Sequence, residues 1–504
     1  MSDVSPTHFR QAELDREEWK MYFFSTRNEQ IKVNSAQAIV QGLSEEGGLF
    51  VPAEFPKVSL DELLKWEDYP TTAAKILELF LTDYDPDFIQ KAVHETYTAQ
   101  AFGGKAGYVA SLSSTLFALE LWHGPTSAFK DYALQLMPKL LVEAKKMLHI
   151  SETTHVLVAT SGDTGKAALE GYQDLDGIEI SVFYPSNGTS EIQRLQMSTQ
   201  KGKNVHVYAV KGNFDDAQSG VKRIFSNKNL ANTLREQDVA LSSANSINWG
   251  RLVPQIVYYF YSYKQLVEHY GLTLGQKVDF CVPTGNFGDI LAGYYAKQMG
   301  LPVGRLICAS NQNNVLEEFL RTGRYDARRT FYRTSSPSMD ILVSSNLERL
   351  LYHVTKDTQK VRQWMEELRK DGFYQVDENT LKSIQETFVG GWANETEVAE
   401  ELKRIYETYG YLCDTHTAVA FFVANKHRSE HTMVVLSTAS PYKFPKDVLK
   451  SLGEQVPSND FAAMEKLQAC TNTEAPKNLS ELNQLPERFH QVIEPQEMEQ
   501  VVLQ

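Results

Sequence analysis

A lysine lies in an unusual setting in the stretch Leu121-Trp-His-Gly-Pro-Thr-Ser-Ala-Phe-Lys130-Asp131. It follows a Gly-Pro turn and lies between an aromatic residue and an acid, at the predicted start of a helix. Most helix lysines are solvated surface charges, but a surface helix does not require these neighbours. Lysine also forms Schiff bases with carbonyl cofactors. Lys130 is therefore a candidate anchor, provided that other parts of the chain can hold such a cofactor.

Three later segments share the order strand, polar loop and helix. They are Thr160-Ser-Gly-Asp-Thr-Gly165, Pro283-Thr-Gly-Asn-Phe-Gly-Asp289 and Leu436-Ser-Thr-Ala-Ser-Pro441. Strands alternate with helices through this part of the chain, which predicts an α/β fold with a parallel sheet covered on both faces. Because the carboxyl ends of parallel strands line one crevice, these loops are expected to converge.

The loop at 283–289 suits a phosphate group. Its glycines let the backbone approach the anion, and the amides at the start of the next helix point towards it. The loop lacks Gly-Lys-Ser/Thr and is not GxGxxG, which disfavours a nucleoside triphosphate or a dinucleotide. The loop at 161–165 could likewise bind a carboxylate or a phosphate. For both loops the alternative is an ordinary turn in which an aspartate caps a helix.

Apolar runs of strand length predict six strands, at residues 155–160, 178–184, 205–210, 277–282, 306–310 and 432–436. A helical pattern begins near Phe129 and contains Pro138, which is expected to bend or divide it. Another helix follows the polar residues 245–251. It has Pro254 in its first turn and is rich in aromatics at 258–263, which are expected to pack in the core.

The length of 504 residues exceeds what one hydrophobic core supports, so several domains are expected. Residues 1–105 mix short strands with amphipathic helices, which predicts an α+β accessory domain. Residues 106–455 form a central region of two α/β domains, the smaller at about 130–240. Residues 456–504 are rich in Pro, Glu and Gln and are predicted to form a peripheral tail.

The net charge of −14 disfavours bulk binding of nucleic acid or of an anionic membrane. We see no signal peptide, and no apolar run approaches the roughly 20 residues of a membrane span. The four cysteines are widely spaced, as expected for buried thiols of a cytoplasmic protein. No group of residues has metal-ligand spacing, and His416 is expected to have a structural or capping role.

These stretches together resemble the threonine synthase family, in its longer form with an extra N-terminal domain. The family belongs to the fold-type II enzymes that use pyridoxal 5′-phosphate (PLP), so the resemblance implies a fold like that of the tryptophan synthase β subunit. The motifs run in the family's order over residues 21–445. They are Ser25-Thr-Arg27, Gly47-Gly-Leu-Phe-Val-Pro52, His123-Gly-Pro-Thr126, Phe129-Lys-Asp131, Ala159-Thr-Ser-Gly-Asp-Thr-Gly165, Asn245-Ser-Ile-Asn248, Pro283–Asp289, Ser336-Pro-Ser-Met-Asp340 and Leu436-Ser-Thr-Ala439.

The resemblance implies a role for each matching residue. Lys130 would form the Schiff base, and Thr438 would hydrogen-bond the pyridine nitrogen. The PLP phosphate would be held by Gly285, Asn286, Phe287, Gly288 and Asp289. The cofactor O3′ or the substrate carboxylate and phosphate would be met by Ser161, Asp163, Thr164, Asn248, Arg251 and Lys443. Many members have histidine where this chain has Ser440, so no role is carried over to a histidine there, and the role of His123 stays open.

For such an enzyme the resemblance implies γ-elimination of phosphate from O-phospho-L-homoserine and β-addition of water, giving L-threonine. The freed lysine amine would act as the base. The partners would be this substrate and water, for a monomer or weak homodimer. The alternative is a phospho-lyase of the same fold that releases 2-oxobutanoate, ammonia and phosphate. A remote alternative is a non-catalytic protein that kept the fold, and the missing GxGxxG disfavours a dehydrogenase.

Overall fold

The computed structural model describes residues 21–160, 162–186 and 189–503. The strands of this part of the chain are β1 (Phe23–Ser25), β2 (Asn28–Val33), β3 (Phe50–Pro52), β4 (Tyr108–Ser113), β5 (Leu116–Glu120), β6 (Thr153–Ala159), β7 (Ile178–Pro185), β8 (Val205–Val210), β9 (Val239–Ser243), β10 (Val278–Pro283), β11 (Val303–Ser310), β12 (Arg324–Asp326), β13 (Phe373–Gln375), β14 (Phe388–Trp392), β15 (Thr432–Ser437) and β16 (Val492–Ile493).

Two parallel sheets organise the molecule. A six-stranded sheet has the order β14-β11-β10-β15-β5-β4, and a five-stranded sheet has the order β16-β8-β7-β6-β9. All pairs are parallel except β4 with β5. The central strands β10 and β15 are buried at every residue, as expected where helices cover both faces. The predicted α/β fold is confirmed.

The helices surround these sheets. They are α1 (Ser35–Gln41), α2 (Leu60–Leu63), α3 (Tyr69–Glu78), α4 (Pro86–Thr96), α5 (Ala99–Phe102), α6 (Asp131–Leu134), α7 (Met137–Met147), α8 (Asp163–Tyr172), α9 (Glu191–Ser198), α10 (Phe214–Ser226), α11 (Lys228–Glu236), α12 (Trp249–Tyr270), α13 (Gly288–Gln298), α14 (Val315–Thr322), α15 (Leu347–Thr355), α16 (Thr358–Asp371), α17 (Glu378–Gln385), α18 (Glu395–Tyr409), α19 (Thr415–Lys426), α20 (Pro445–Leu452), α21 (Asp460–Thr471), α22 (Lys477–Ser480) and α23 (Met498–Val502).

Two predictions about helices are confirmed. Pro138 lies in the first turn of α7, so the helical pattern after Phe129 is divided into α6 and α7. The aromatic stretch lies on α12, the 22-residue helix at the centre of the molecule. Tyr258, Tyr259 and Tyr263 are fully buried there, so this cluster is part of the core.

The N-terminal region packs directly onto α12. The Trp249 ring lies 4.9 Å from the ring of Phe23 and 5.4 Å from that of Phe80, measured between centroids. Asn248 donates from its side chain to the carbonyl of Ile39 over 2.8 Å. Residues 21–102 therefore share one hydrophobic cluster with the central region. The limit of the accessory domain at residue 105 stays a prediction.

The C-terminal segment is more than a peripheral tail. Strand β16 adds to the edge of the five-stranded sheet by pairing with β8, and Met498 and Val502 of α23 are buried against that sheet. An ion pair joins Glu487 to Arg194 on α9. The two-residue β16 is too short to show a strand period, which explains why its sequence does not indicate it.

Some elements carried no clear sequence signal. Strand β5 is a run of five buried residues, and periodicity cannot distinguish such a short run from a helix segment. Three of the cysteines are buried and free, as expected, but Cys470 is exposed. Among the described residues no helix has the length and apolar character needed to cross a lipid bilayer.

Candidate active site

Backbone hydrogen bonds hold the Lys130 stretch against the end of β15. The amide of Phe129 donates to the carbonyl of Thr438 over 2.8 Å, and the amide of Ser440 donates to the carbonyl of Ser127 over 3.1 Å. Because Lys130 is the next residue after Phe129, these bonds place it beside Thr438. The two residues that the sequence analysis paired as cofactor contacts are thus neighbours in space.

Lys130 has an amine suited to proton transfer near neutral pH. Burial lowers its pKa from the usual range to about 8, and the positive charges of Lys443 and Arg251 add to that effect. Asp163 and Asp289 act in the opposite direction. The lysine Nζ also lies 4.7 Å from the centroid of the Phe129 ring. A substantial fraction of this amine is neutral at pH 7 to 8.

Asp131 explains the composition of the motif around the lysine. Its carboxylate accepts hydrogen bonds from the Thr126 amide over 2.8 Å and from the Thr126 hydroxyl over 2.7 Å. A side chain at Gly124 would come within 2.5 Å of this carboxylate, so only glycine fits. Burial raises the pKa of Asp131 to about 6. Asp131 therefore fixes the turn that precedes Lys130.

Asp163 and Lys443 form a buried ion pair between the two sheets. The Lys443 Nζ lies 2.6 Å from Asp163 Oδ1, and both side chains are almost completely buried. The carboxylate also accepts from Gln193 Nε2 over 3.1 Å. Burial raises the pKa of Asp163, but the nearby Lys443 and Lys130 outweigh that effect and hold it well below its usual range. Asp163 is thus ionised.

The glycine-rich loop joins β10 to α13, and its backbone is packed closely against neighbouring residues. A side chain on Gly285 would come within 2.7 Å of the Ser338 carbonyl, so this position requires glycine. Phe287 has the left-handed φ of 62° and directly precedes the first residue of α13. The Asn286 carbonyl accepts from the Asn346 amide over 3.1 Å. This loop is a concave backbone at a helix N-terminus, which suits a phosphate.

Two buried polar atoms of residues whose charges act on Lys130 have no hydrogen-bond partner within the described part of the chain, and both suggest a missing ligand. One is Oδ2 of Asp289, whose Oδ1 accepts from Tyr258 over 2.5 Å and from Tyr259 over 3.2 Å. The other is Nε of Arg251. Burial raises the pKa of Asp289 to about 7 and lowers that of Arg251 to about 10. The loop amides, the Arg251 guanidinium and a protonated Asp289 could donate hydrogen bonds, which fits a cofactor that carries a phosphate.

Other predicted residues have different surroundings. Asn248 caps α12, since its Oδ1 accepts from the Gly250 amide over 2.8 Å while its Nδ2 donates to the N-terminal region. Thr164 lies partly exposed in the first turn of α8. Ser161 lies outside the described residues. Ser440 accepts from the Tyr442 amide over 3.3 Å and thereby starts the short turn that leads to Lys443.

His123 and His416 each form a hydrogen bond with an acidic residue two or three positions earlier in the chain. His123 Nε2 lies 2.6 Å from Glu120 Oε2. His416 Nδ1 lies 2.6 Å from Asp414, and its Nε2 accepts from the Ser338 amide over 3.1 Å. Ser338 was not expected at the site, although its motif at 336–340 was recognised. The Ser338 hydroxyl lies 3.4 Å from Asp163, and a Cβ added to Gly285 would come within 2.7 Å of the Ser338 carbonyl.

Family models match nearly the whole chain. Residues 106–438 match that of the pyridoxal-phosphate-dependent enzymes. The chain therefore belongs to these enzymes, and its two-sheet fold is that of fold type II. Residues 22–97 match the threonine synthase N terminus, and residues 417–502 match the threonine synthase C-terminal model. The chain is thus a member of the threonine synthase family, as the sequence predicted.

Individual relatives agree with this family. Threonine synthase of Pseudomonas aeruginosa is 39% identical over 447 residues, which cover 87% of this chain and 92% of that protein. Human threonine synthase-like 1 is 40% identical over 431 residues, or 83% of this chain. This match spans 58% of the length of the human protein. The crystal structure of PLP-bound threonine synthase from Brucella melitensis superposes with a TM-score of 0.86 at 35% identity, covering 96% of this chain and 99% of that one.

Proposed function

We propose that this protein is a PLP-dependent lyase that converts O-phospho-L-homoserine and water into L-threonine and phosphate. The observation that carries the proposal is the position of Lys130. The backbone next to it is bonded to Thr438, and its amine has a pKa of about 8 under the charges of Asp163, Arg251 and Lys443. Matches to both terminal models of the threonine synthase family support this reaction over others of the same fold.

In this proposal the cofactor is held from three sides. Lys130 binds its aldehyde carbon, Thr438 donates to its ring nitrogen, and its phosphate lies on the loop formed by Gly285, Asn286, Phe287, Gly288 and Asp289. Bound PLP withdraws electrons from the substrate α-carbon and so makes its proton removable. The unpartnered Oδ2 of Asp289 supports this placement, because with a pKa of about 7 this carboxyl can carry a proton and donate it to a phosphate oxygen.

The remaining work falls to side chains of the protein. The Lys130 amine accepts the α-proton and later returns a proton, for which a pKa near the working pH is best. Arg251 and Lys443 attract the substrate phosphate and carboxylate. Lys443 is already bound to Asp163, so the substrate has to compete with that carboxylate. Ser161 and Thr164 flank Asp163 in sequence and complete the proposed substrate contacts. The amide of Asn248 positions α12 rather than the substrate.

We place the enzyme in the cytoplasm, as a monomer or weak homodimer that acts on small molecules. The net charge of −14 supports the absence of nucleic acid and anionic membrane among its partners. The division into residues 1–105, 106–455 and 456–504 also belongs to the proposal. It is supported by the separate three-stranded sheet β2-β1-β3 at the N-terminus.

The deciding experiment incubates the purified holoenzyme with O-phospho-L-homoserine and measures threonine, phosphate and 2-oxobutanoate together. We expect threonine and phosphate in equal amounts. Phosphate with 2-oxobutanoate and ammonia would instead identify a phospho-lyase. Absence of all three products, with PLP bound, would leave a non-catalytic protein of the same fold.

A further inference from the structure

A second cleft lies apart from the Lys130 site, where the N-terminal region, α10 and α16 meet. Its volume is about 830 Å³, and none of Lys130, Asp163 and Thr438 lines it. It is bordered by side chains of both charges. The charged residues used below are Arg27, Glu46, Lys222, Arg362, Glu366 and Arg369.

Glu46 has a half-buried carboxylate at the N-terminal side of the cleft. Its Oε1 accepts a hydrogen bond from the Ser25 hydroxyl, but its Oε2 is buried and has no donor among the described residues. Burial raises the pKa of Glu46, but hydrogen bonds from Ser25, Ser44 and its own backbone amide and the charge of Arg27 together lower it, so that the group is ionised. The last torsion of a glutamate is soft, so a small rotation can turn Oε2 into the cleft. An ammonium group is the natural donor for it.

Helix α16 and Lys222 provide cations. Arg362, Glu366 and Arg369 follow each other at helical spacing on one face of α16. Within the described part of the chain, Arg362 donates to the Arg27 carbonyl over 2.9 Å and Lys222 to Gln218 over 3.3 Å, with no other acceptor for either side chain. In the described ranges, neither they nor Arg369 has a carboxylate within 4.0 Å. Arg27, by contrast, is bound to Glu348 over 2.7 Å. A ligand carboxylate would neutralise these exposed cations.

Aliphatic side chains complete the lining of the cleft. Leu43, Leu49, Val343 and Met365 line the cleft, and Val343 is 55% exposed although it is apolar. We propose that this cleft binds an aliphatic amino acid as a zwitterion, with its ammonium on Glu46, its carboxylate on the α16 arginines and its side chain on the apolar wall. The cleft is larger than such a ligand, so water fills the remaining space.

The site is well placed to influence the cofactor loop. Ser344 lines the cleft, and its hydroxyl donates to the Gly285 carbonyl over 2.8 Å. Lys222 belongs to the helix layer of the five-stranded sheet, whereas α16 belongs to the other side of the cleft. A ligand that contacts both walls connects the two halves of the molecule.

The probe is L-leucine, titrated into the holoenzyme by calorimetry. Two matched compounds test the zwitterion: 4-methylpentanoate lacks the ammonium, and 3-methylbutylamine lacks the carboxylate. We expect L-leucine to bind and both analogues to bind at least about tenfold more weakly, since each loses one charge-assisted contact. Lys130→Ala should bind L-leucine equally well.

Single substitutions test whether L-leucine binds in this cleft. Glu46→Gln and Arg369→Gln should each weaken L-leucine binding about tenfold, whereas Lys370→Gln, on the same helix but outside the cleft lining, should not. Melting temperatures confirm that each variant is folded, and Arg369→Gln is decisive if Glu46→Gln is unstable. The proposal is overturned if the wild-type protein does not bind L-leucine, if both cleft variants bind it normally, or if Lys130→Ala does not bind it. The last result would place the amino acid at Lys130.

Discussion

The two parallel sheets meet at the candidate active site but contribute different kinds of residue. The six-stranded sheet leads to Lys130 after β5, to the loop 283–289 after β10 and to Thr438 after β15. The five-stranded sheet contributes Asp163 after β6. The proposed cofactor contacts thus share one sheet, and a charge that acts on the lysine comes from the other. Changes on the first side should remove the cofactor, and changes on the second side should mainly slow turnover.

Lys130→Ala should have the largest effect. It removes the amine that binds the cofactor and moves the α-proton, so we expect loss of the visible PLP absorbance and at least about a 10⁴-fold fall in kcat/KM. Lys146→Ala is the matched control, because that lysine is exposed near the end of α7. A Lys130→Ala protein that kept both the absorbance band and its activity would exclude the assigned role.

Asp163→Asn tests the contribution of the five-stranded sheet. We expect PLP to stay bound while kcat falls about 10²-fold, since Asp163 holds Lys443, a proposed substrate contact, in position. The variant also leaves Lys443 buried without its partner, which should lower the free energy of unfolding by about 3–5 kcal/mol. Adding Lys443→Met should restore part of that stability but not the activity. Loss of the PLP band in Asp163→Asn would contradict the division of roles between the sheets.

Gly285→Ala should weaken PLP binding at the loop 283–289 without removing any functional group. The added methyl would meet the Ser338 carbonyl at 2.7 Å, so the loop has to shift. We expect PLP to bind about tenfold more weakly, with a kcat close to normal once the enzyme is saturated. Gly410→Ala is a control for glycine replacement away from the site, since its added methyl faces open space and only backbone strain from its left-handed φ of 64°, which Gly285 does not share, is introduced. Equal PLP affinity in the wild type and Gly285→Ala would argue against phosphate binding at this loop.

The pH dependence of PLP uptake should show the smallest but most specific effect. Only a neutral amine attacks the aldehyde, so the uptake rate of the apoenzyme should rise with pH and level off above about 8, the pKa of Lys130. An ordinary lysine would level off above 10. Asp163 raises the pKa of Lys130, so Asp163→Asn should move the midpoint to lower pH. A midpoint near 10, or a shift of the variant in the opposite direction, would contradict the proposed charge balance.

The sequence predicts those parts of the fold that carry a strong local pattern. The strands at 205–210 and 432–436 were found almost to the residue, because each is an apolar run bounded by polar loops. Strand β9 was not found, since its residues are all half-buried and their pattern shows no contrast. Strand β16 was not found either, because it is ordered only by pairing with β8, which lies almost 300 residues earlier in the chain.

The sequence predicted which residues form the site, but not the hydrogen bonds and ion pairs that they make. Family motifs pointed to Lys130 and the loop 283–289. They could not show that Asp131 fixes a turn, that Asn248 caps a helix towards the N-terminal region, or that Asp163 is bound to Lys443. These contacts join segments far apart in the chain or depend on side-chain direction. Ser338 is the clearest omission, since its motif was recognised but its contact with Asp163 and Gly285 needs the folded structure.

The most direct test of the role of Lys130 is reduction of the holoenzyme with borohydride, followed by proteolysis and mass spectrometry. Reduction fixes the cofactor permanently on the lysine that holds it. We predict one phosphopyridoxyl group per chain, on the peptide that contains Lys130. A label on Lys443 or on any other lysine, or no label on a protein that had bound PLP, would contradict the account.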